Sequence, residues 1–145
     1  MKYCIIGSGG REHALCSSLK NSNNISKIYC IPGNAGTSLI AENKSIDLKD
    51  FEQIKDFIKK NEIDIVLVGP EQPLVDGIVD YLERYKIKVF GPSKLASQLE
   101  GSKIFTKNLC KKYNIPTANF GIFKNSEDAN KFLEKCNLPI VIKAD

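Results

Sequence analysis

The sequence predicts an α/β protein built on a doubly wound parallel sheet. Four short apolar runs have the length of strands, and the segments between them carry apolar residues at helical spacing. The run "DIVLV" at 64–68 is continuously apolar, which is typical of a strand covered on both faces. Strands and helices that alternate along a chain form a parallel sheet with right-handed crossovers.

The first half of the pattern begins with the strand "KYCII" at 2–6. A glycine-rich turn follows, and then a helix with Leu15 and Leu19 on its apolar face. The second strand is "KIYCI" at 27–31. Apolar residues at helical spacing predict the next helix, and they are Phe51, Ile54, Phe57 and Ile58.

The second half of the pattern starts with the strand at 64–68. One helix is predicted behind it, with Pro73 at its first position. Its apolar face is formed by Leu74, Ile78, Val79 and Leu82. The fourth strand is "KVFG" at 88–91, and Gly91-Pro92 ends it.

A domain boundary is predicted at residue 100, within "GPSKLASQLEGSK" at 91–103, because Glu100-Gly101-Ser102 offers a hinge and a helix cap. The second unit, 101–145, is predicted to contain four elements. They are a helix at 103–113, a short strand in "IPTANFGIF", a helix capped by Ser126 with Ala129, Phe132, Leu133 and Cys136 on one face, and the strand "PIVIK". A last strand without a partner cannot close a core, so we expect a fragment of a larger protein.

Composition excludes several functional classes. The net charge of +4 comes entirely from residues 101–145, which suits a segment that meets a small polyanion but is too weak for a nucleic-acid face. No apolar run approaches the about 20 residues that cross a bilayer, and none fits a signal peptide. The odd set of five cysteines contains no CxxC pair, which argues against a disulfide framework or a zinc site. We therefore expect a cytoplasmic protein that binds neither membranes nor nucleic acids.

The stretch "GSGGREHAL" at 7–15 predicts a phosphate-binding turn. Gly7, Gly9 and Gly10 lie between a strand and a helix, where backbone N–H groups and the helix dipole attract an anion. A tight turn that binds nothing is the alternative. Arg11 suits a phosphate through its guanidinium fork, although it can equally face solvent. His13 is interpreted as packing or bonding locally rather than as a general base.

A dinucleotide is not the expected ligand. The G-x-G-x-x-G pattern begun by Gly7 and Gly9 needs a small third residue, and Glu12 stands there. The second strand also runs into "IPGN" rather than to an acidic residue that could hold a ribose. The charged pair of Arg11 and Glu12 favours a smaller phosphate whose sugar is held by side chains.

Two further strand ends carry polar residues. Asn34 follows the second strand and can donate to a phosphate or a hydroxyl, and Glu71 follows the third and can accept two hydrogen bonds from ribose hydroxyls. Ligands of doubly wound sheets bind beyond the carboxyl ends of the strands. Asp76 is a further candidate, with a solvated charge near the start of a helix as its alternative.

Five segments in register resemble the glycinamide ribonucleotide synthetase family of the ATP-grasp superfamily. They are "GSGGREHAL", "PGNAGT", "GPEQPLVDGIVD", "FGPSKLASQLEGSKIFTK" and "IPTANF" through "PIVIKAD". The resemblance implies a ligase of purine biosynthesis that joins glycine to 5-phosphoribosylamine, with ATP and Mg²⁺, through glycyl phosphate. Residues 1–100 would be a Rossmann-like pre-ATP-grasp domain that binds phosphoribosylamine, and residues 101–145 the first part of the ATP-grasp domain.

Two lysines of the second unit complete the predicted site. Lys103 opposes a helix dipole, and Lys143 shares a predicted strand face with Val141. The resemblance implies that both contact the phosphates of ATP, and two surface lysines are the alternative; Lys107 is expected to be solvent-exposed. Catalytic residues and metal ligands are expected beyond residue 145, so the chain alone is expected to be inactive. A non-catalytic module that binds a phosphosugar or nucleotide is the competing functional class.

Overall fold

The computed structural model describes residues 1–144, which form two compact units, Met1–Ser97 and a second unit that begins at Gln98. The first unit contains a five-stranded, all-parallel sheet in the order β3-β2-β1-β4-β5. The strands are β1 Lys2–Gly7, β2 Lys27–Pro32, β3 Glu42–Asn43, β4 Ile65–Val68 and β5 Val89–Phe90. The predicted α/β fold with a doubly wound parallel sheet is confirmed.

Helices follow the strands and continue into the second unit. They are α1 Gly10–Lys20, α2 Phe51–Lys60, α3 Glu71–Asp76, α4 Ile78–Glu83, α5 Lys94–Gly101, α6 Lys103–Lys112 and α7 Ser126–Leu133. Through residue 144, none of these helices combines the length and the hydropathy that a bilayer crossing requires.

The core of the first unit lies on both faces of the sheet, because neighbouring strand residues point to opposite sides. Ile6 packs in a cluster with residues of α2 and α4, including Ile54 and Ile78. Ile5, its neighbour, packs in a second cluster with Cys16 of α1. Each fully buried isoleucine contributes about 1.5–3 kcal/mol of hydrophobic stabilisation. The central strand is thereby fixed, together with the loop that follows it.

Two predictions about the first half of this unit are wrong in detail. β3, which pairs with β2, was not predicted, because two residues are too short to show a pattern. The inward face of α1 carries Glu12 and Cys16, whereas Leu15 is 38% exposed. Residues 12 and 16 are one helical turn apart and share a face, and Leu15 lies to one side of it.

The single helix predicted behind β4 is two helices. Gly77 adopts φ +98°, a left-handed conformation that a continuous helix cannot contain, and it ends α3 and starts α4. α3 begins at Glu71, so Pro73 is its third residue rather than its first. The predicted apolar residues of this segment are nevertheless buried.

The second unit contains the predicted helices but not the predicted strands. Ser102 caps α6 by accepting the N–H of Phe105 at 3.0 Å, as expected, whereas α7 is capped by Asn125 rather than by Ser126. Segments 115–123 and 139–144 are not strands. A strand needs a neighbour that pairs its backbone groups, and the described part of this unit offers none. Val141 is 76% exposed, so Lys143 does not share a covered strand face with it.

Candidate functional site

Three loops meet at the carboxyl edge of the sheet, because β2, β1 and β4 are adjacent parallel strands. The last two residues of β1 are bonded to the loops after β2 and β4. Gly33 N–H donates to the Gly7 carbonyl at 3.1 Å, and Gly69 N–H donates to the Ile6 carbonyl at 3.0 Å. These loops, 7–10, 33–37 and 69–71, form the candidate site, in the place where doubly wound sheets bind their ligands.

The N-terminus of α1 opens onto these loops. Gly9 is the cap residue, and α1 begins at Gly10. The first backbone N–H groups of a helix have no partner within the helix. The Gly9 N–H is already donated to the Glu12 carboxylate at 2.5 Å. The N–H groups of Gly10, Arg11 and Glu12 therefore provide the donors that an anion can use.

Glu12 lies beneath the loop rather than on its surface. Its side chain is bonded back to Gly9, the residue is 3% exposed, and its Oε1 atom has no hydrogen-bond partner among residues 1–144. The carboxylate fits only because glycines surround it. A Cβ on Gly7 would lie 2.6 Å from Glu12 Cδ, and a Cβ on Gly69 would nearly coincide with Glu12 Oε1. Glu12 therefore fixes the relative position of the loops after β1 and β4.

Arg11 and Glu71 form an ion pair at the rim of the site. Arg11 Nη2 lies 3.3 Å from Glu71 Oε2, and the side chains are 68% and 55% exposed. Glu71 is the first residue of α3, and the pKa of its carboxyl is lowered from its ordinary value, first by its backbone N–H and then by the Arg11 guanidinium. The pair places a cation and a hydrogen-bond acceptor together beside the start of α1.

Asn34 holds the loop after β2 against the loop after β1. Its Nδ2 donates to the carbonyls of Ser8 at 2.9 Å and Gly9 at 3.2 Å, and its Oδ1 accepts the Thr37 N–H at 2.9 Å. Thr37 Oγ1 in turn bonds Asn43 Oδ1 at 2.8 Å. The polar atoms of the Asn34 amide are thus all bonded within the protein, as expected of a residue that holds the two loops in place.

Asp76 lies apart from the loop contacts. Its Oδ1 accepts a hydrogen bond from Gln72 Nε2 at 2.9 Å. It lines a shallow pocket of about 300 Å³ with Phe51 of α2, Tyr81 of α4 and Arg84, which follows α4. The structure therefore groups Gly9, Gly10, Arg11, Glu12, Asn34 and Glu71, and it places Asp76 beside different neighbours.

The candidate lysines belong to the second unit. Lys103 is the first residue of α6 and Lys143 lies in the irregular segment 139–144, and both are exposed. Lys107, expected to be solvent-exposed, is half-buried instead. Its ammonium group donates to Thr117 Oγ1 at 2.6 Å and lies 5.1 Å from the centre of the Phe120 ring. Its aliphatic length lets it reach the segment that follows α6.

Two residues that shape the site were not identified from the sequence. Gly69 leaves space for the Glu12 carboxylate. The position of Gly69 directly after an apolar strand was the sequence signal that could have identified it. Thr37 joins the loop after β2 to β3. This role could not be identified from the sequence because β3 itself was not predicted. No group of three or more His, Cys, Asp or Glu residues that could hold a metal occurs within the described chain, residues 1–144.

Comparison with known proteins gives one consistent result. Residues 1–100 match the family described as "Phosphoribosylglycinamide synthetase, N domain", and residues 101–145 match "Phosphoribosylglycinamide synthetase, ATP-grasp (A) domain". A phosphoribosylamine–glycine ligase of Caldanaerobacter subterraneus subsp. tengcongensis is 50% identical over all of this chain and 35% of its own length. The chain thus spans about a third of the length of this curated relative.

Comparison with solved structures agrees with the family match. The phosphoribosylamine–glycine ligase of Thermotoga maritima is 28% identical, with a TM-score of 0.69 over 94% of this chain and 31% of its own. A biotin carboxylase domain of Hydrogenobacter thermophilus, solved with MgADP and bicarbonate, shares the fold at 20% identity, with a TM-score of 0.64 over 95% of this chain and 33% of its own. By its sequence and its fold, the chain belongs to the phosphoribosylglycinamide synthetase family.

Proposed function

We propose that this chain supplies the substrate-binding part of an ATP-dependent ligase that joins glycine to 5-phosphoribosylamine in purine biosynthesis. Residues 1–100 would form the phosphoribosylamine-binding domain and residues 101–145 the first part of the ATP-grasp domain. The observation that carries the proposal is the meeting of three loops around the open N-terminus of α1, in a chain whose whole length matches this family.

The 5-phosphate would bind at the start of α1. The N–H groups of Gly10, Arg11 and Glu12 supply donors, and the helix dipole adds a favourable field there. Gly10 leaves space for the phosphate, since no atom lies within 4 Å of a Cβ built on it. The guanidinium of Arg11 can bind a phosphate oxygen from the side of α3.

The ribose would lie toward Glu71. Its carboxylate is charged at neutral pH and can accept hydrogen bonds from two neighbouring hydroxyls. Gly9, Glu12 and Asn34 would act by holding the loops in place. The Gly9 N–H is bonded to the buried Glu12 side chain, and the Asn34 amide is bonded to the loop after β1. The proposed contacts do not include Asp76, whose pocket is formed by other elements.

ATP would bind through the second unit. Lys103 and Lys143 are exposed and fit a polyphosphate, and the chain's positive surplus lies in this unit. ATP would phosphorylate the glycine carboxylate, and the amine of phosphoribosylamine would then displace phosphate from glycyl phosphate. Mg²⁺ would supply charge neutralisation at the phosphates. The described residues contain no acidic cluster for it, so no step is assigned to this chain's carboxylates.

Ribose 5-phosphate, a stable analogue of phosphoribosylamine, tests the sugar-phosphate site directly. We expect saturable binding to the 145-residue chain in isothermal titration calorimetry, weakened by inorganic phosphate as a competitor. Ribose without the phosphate should bind far more weakly, because the helix N-terminus recognises the anion. Absence of binding, or equal binding of ribose and ribose 5-phosphate, would contradict the proposed function.

A further inference from the structure

His13, the only histidine of the chain, lies in the first turns of α1 beside the candidate site. Its backbone N–H donates to the Gly9 carbonyl at 3.2 Å. Its imidazole faces the loop after β2, since a Cβ on Gly36 would lie 3.1 Å from His13 Cδ2 and 3.2 Å from His13 Nε2. The absence of a side chain at residue 36 therefore allows the imidazole to occupy this place.

The imidazole is available to a ligand. His13 is exposed, and its ring nitrogens make no hydrogen bond within residues 1–144. The neighbouring Asn34 amide cannot serve the same purpose, because it is committed to Ser8, Gly9 and Thr37. His13 is thus a polar side chain with free donor capacity on the β2 side of the helix N-terminus.

Arg11 lies on the opposite flank. Residues two positions apart on a helix are rotated by about 200°, so the two side chains leave α1 on different sides. Arg11 reaches Glu71 on the side of β4, and His13 reaches Gly36 on the side of β2. The unpaired N–H groups of the first helical turn lie between them.

We propose that His13 donates a hydrogen bond to the phosphate monoester of the bound sugar phosphate, opposite Arg11, and so determines specificity for that group. The inference rests on the proposed function and adds a second side chain to the phosphate contacts. An imidazole that merely packs over Gly36 would have no need of an exposed position at a helix N-terminus. A charge-assisted bond from His13 to the phosphate would also select a phosphate over an uncharged hydroxymethyl group.

The single histidine makes the test direct. In the unmodified chain, labelled with ¹³C at histidine, the imidazole Cε1–H NMR signal should shift as ribose 5-phosphate saturates the site. Inorganic phosphate should shift it in the same direction, and ribose should leave it unchanged. This measurement needs no variant, so it does not depend on how a substitution folds.

Substitution of His13 measures its contribution to the affinity for ribose 5-phosphate. His13→Gln should raise the Kd for ribose 5-phosphate by roughly 10-fold or more, as expected for loss of one hydrogen bond to a charged group. Lys20→Gln, which removes a charge from the far end of the same helix, should leave the Kd within about twofold, because screening weakens so distant a charge. If ribose 5-phosphate binds the unmodified chain while its histidine signal stays in place and His13→Gln binds equally well, the inference about His13 is wrong and the proposed function stands. If the unmodified chain does not bind ribose 5-phosphate, both are wrong.

Discussion

A side chain at Gly10 separates binding from folding more cleanly than any other change in the opening loop. Gly10 is the first residue of α1, and a Cβ built on it meets no atom within 4 Å. Gly10→Val should therefore change the free energy of unfolding by no more than about 0.5 kcal/mol. Gly9→Val should behave differently, because its Cβ would lie 2.9 Å from Glu12 Oε2 and disturb the loop itself.

The effect of Gly10→Val on binding follows from the direction of the side chain. A helical Cα–Cβ bond is tilted toward the N-terminus of the helix, so the valine would project into the space proposed for the phosphate. Losing at least one hydrogen bond to the charged group costs about 1.5–3 kcal/mol. The Kd for ribose 5-phosphate should then rise roughly 10- to 150-fold.

Calorimetric titration with ribose 5-phosphate measures the Kd, and urea denaturation measures the free energy of unfolding of the same protein. Ser18→Val is the matched control, since it places the same side chain on an exposed position of α1 away from the loops. A Gly10→Val protein with unchanged stability and unchanged affinity would show that residues 7–12 form a turn without a ligand. A large loss of stability would refute the structural argument that this position is open.

The remaining predictions concern Glu12, its glycine neighbours, the rim of the site and the completeness of the enzyme. Gly69→Ala should lower the free energy of unfolding by about 1–3 kcal/mol, because its Cβ collides with Glu12 Oε1, and Glu12→Ala in the same chain should restore most of it in urea denaturation. Glu71→Gln should raise the Kd for ribose 5-phosphate about 3- to 10-fold in calorimetry, and an unchanged Kd would remove Glu71 from the ribose contacts. The pKa of Glu71 is lowered, first by its own backbone N–H and then by Arg11. These contacts of the carboxylate therefore stabilise the fold above the ordinary pKa of 4.5, and this stabilisation is lost as the pH falls through the lowered value. The urea midpoints of unmodified and Glu71→Gln proteins should accordingly converge in acid, and a difference that persists there would contradict this assignment. NADH should show no saturable fluorescence change at micromolar protein, since Glu12 fills the position where a dinucleotide requires a small residue. The 145-residue chain should form no ADP from ATP, glycine and phosphoribosylamine, and turnover above background would overturn the division of the enzyme proposed above.

Four of the five strands and the site loops of the first unit were predictable because they depend on local signals. A continuous apolar run such as 64–68 has few alternatives to a buried strand, and a glycine-rich segment directly behind 2–6 has few alternatives to a turn at the sheet edge. The break at Gly77 was not predictable in the same way. The apolar spacing of Leu74 and Ile78 continues across it, so only the backbone conformation of Gly77 reveals that the helix ends there.

The missing strands of the second unit and the burial of Glu12 have a different origin, since both depend on distant parts of the chain. "PIVIK" has the composition of a strand, but composition does not supply the neighbouring strand that would pair its backbone. The burial of Glu12 was not predicted, because charged residues normally avoid the interior. Its burial requires the space left by Gly69, a residue of another loop, and a local pattern does not contain that relation.

The packing of Glu12 against Gly7, Gly9 and Gly69 also limits the order in which this sequence can change. While the carboxylate is present, a larger residue at any of the three glycines meets it at 2.9 Å or less. Once position 12 becomes small, that clash is relieved at Gly9 and Gly69, whereas the left-handed backbone of Gly7 still disfavours a side chain. A mutational path that changes residue 12 before Gly9 or Gly69 therefore avoids an intermediate that this clash destabilises. We therefore expect the residues at these four positions, which lie on two loops and a helix, to vary together among related sequences.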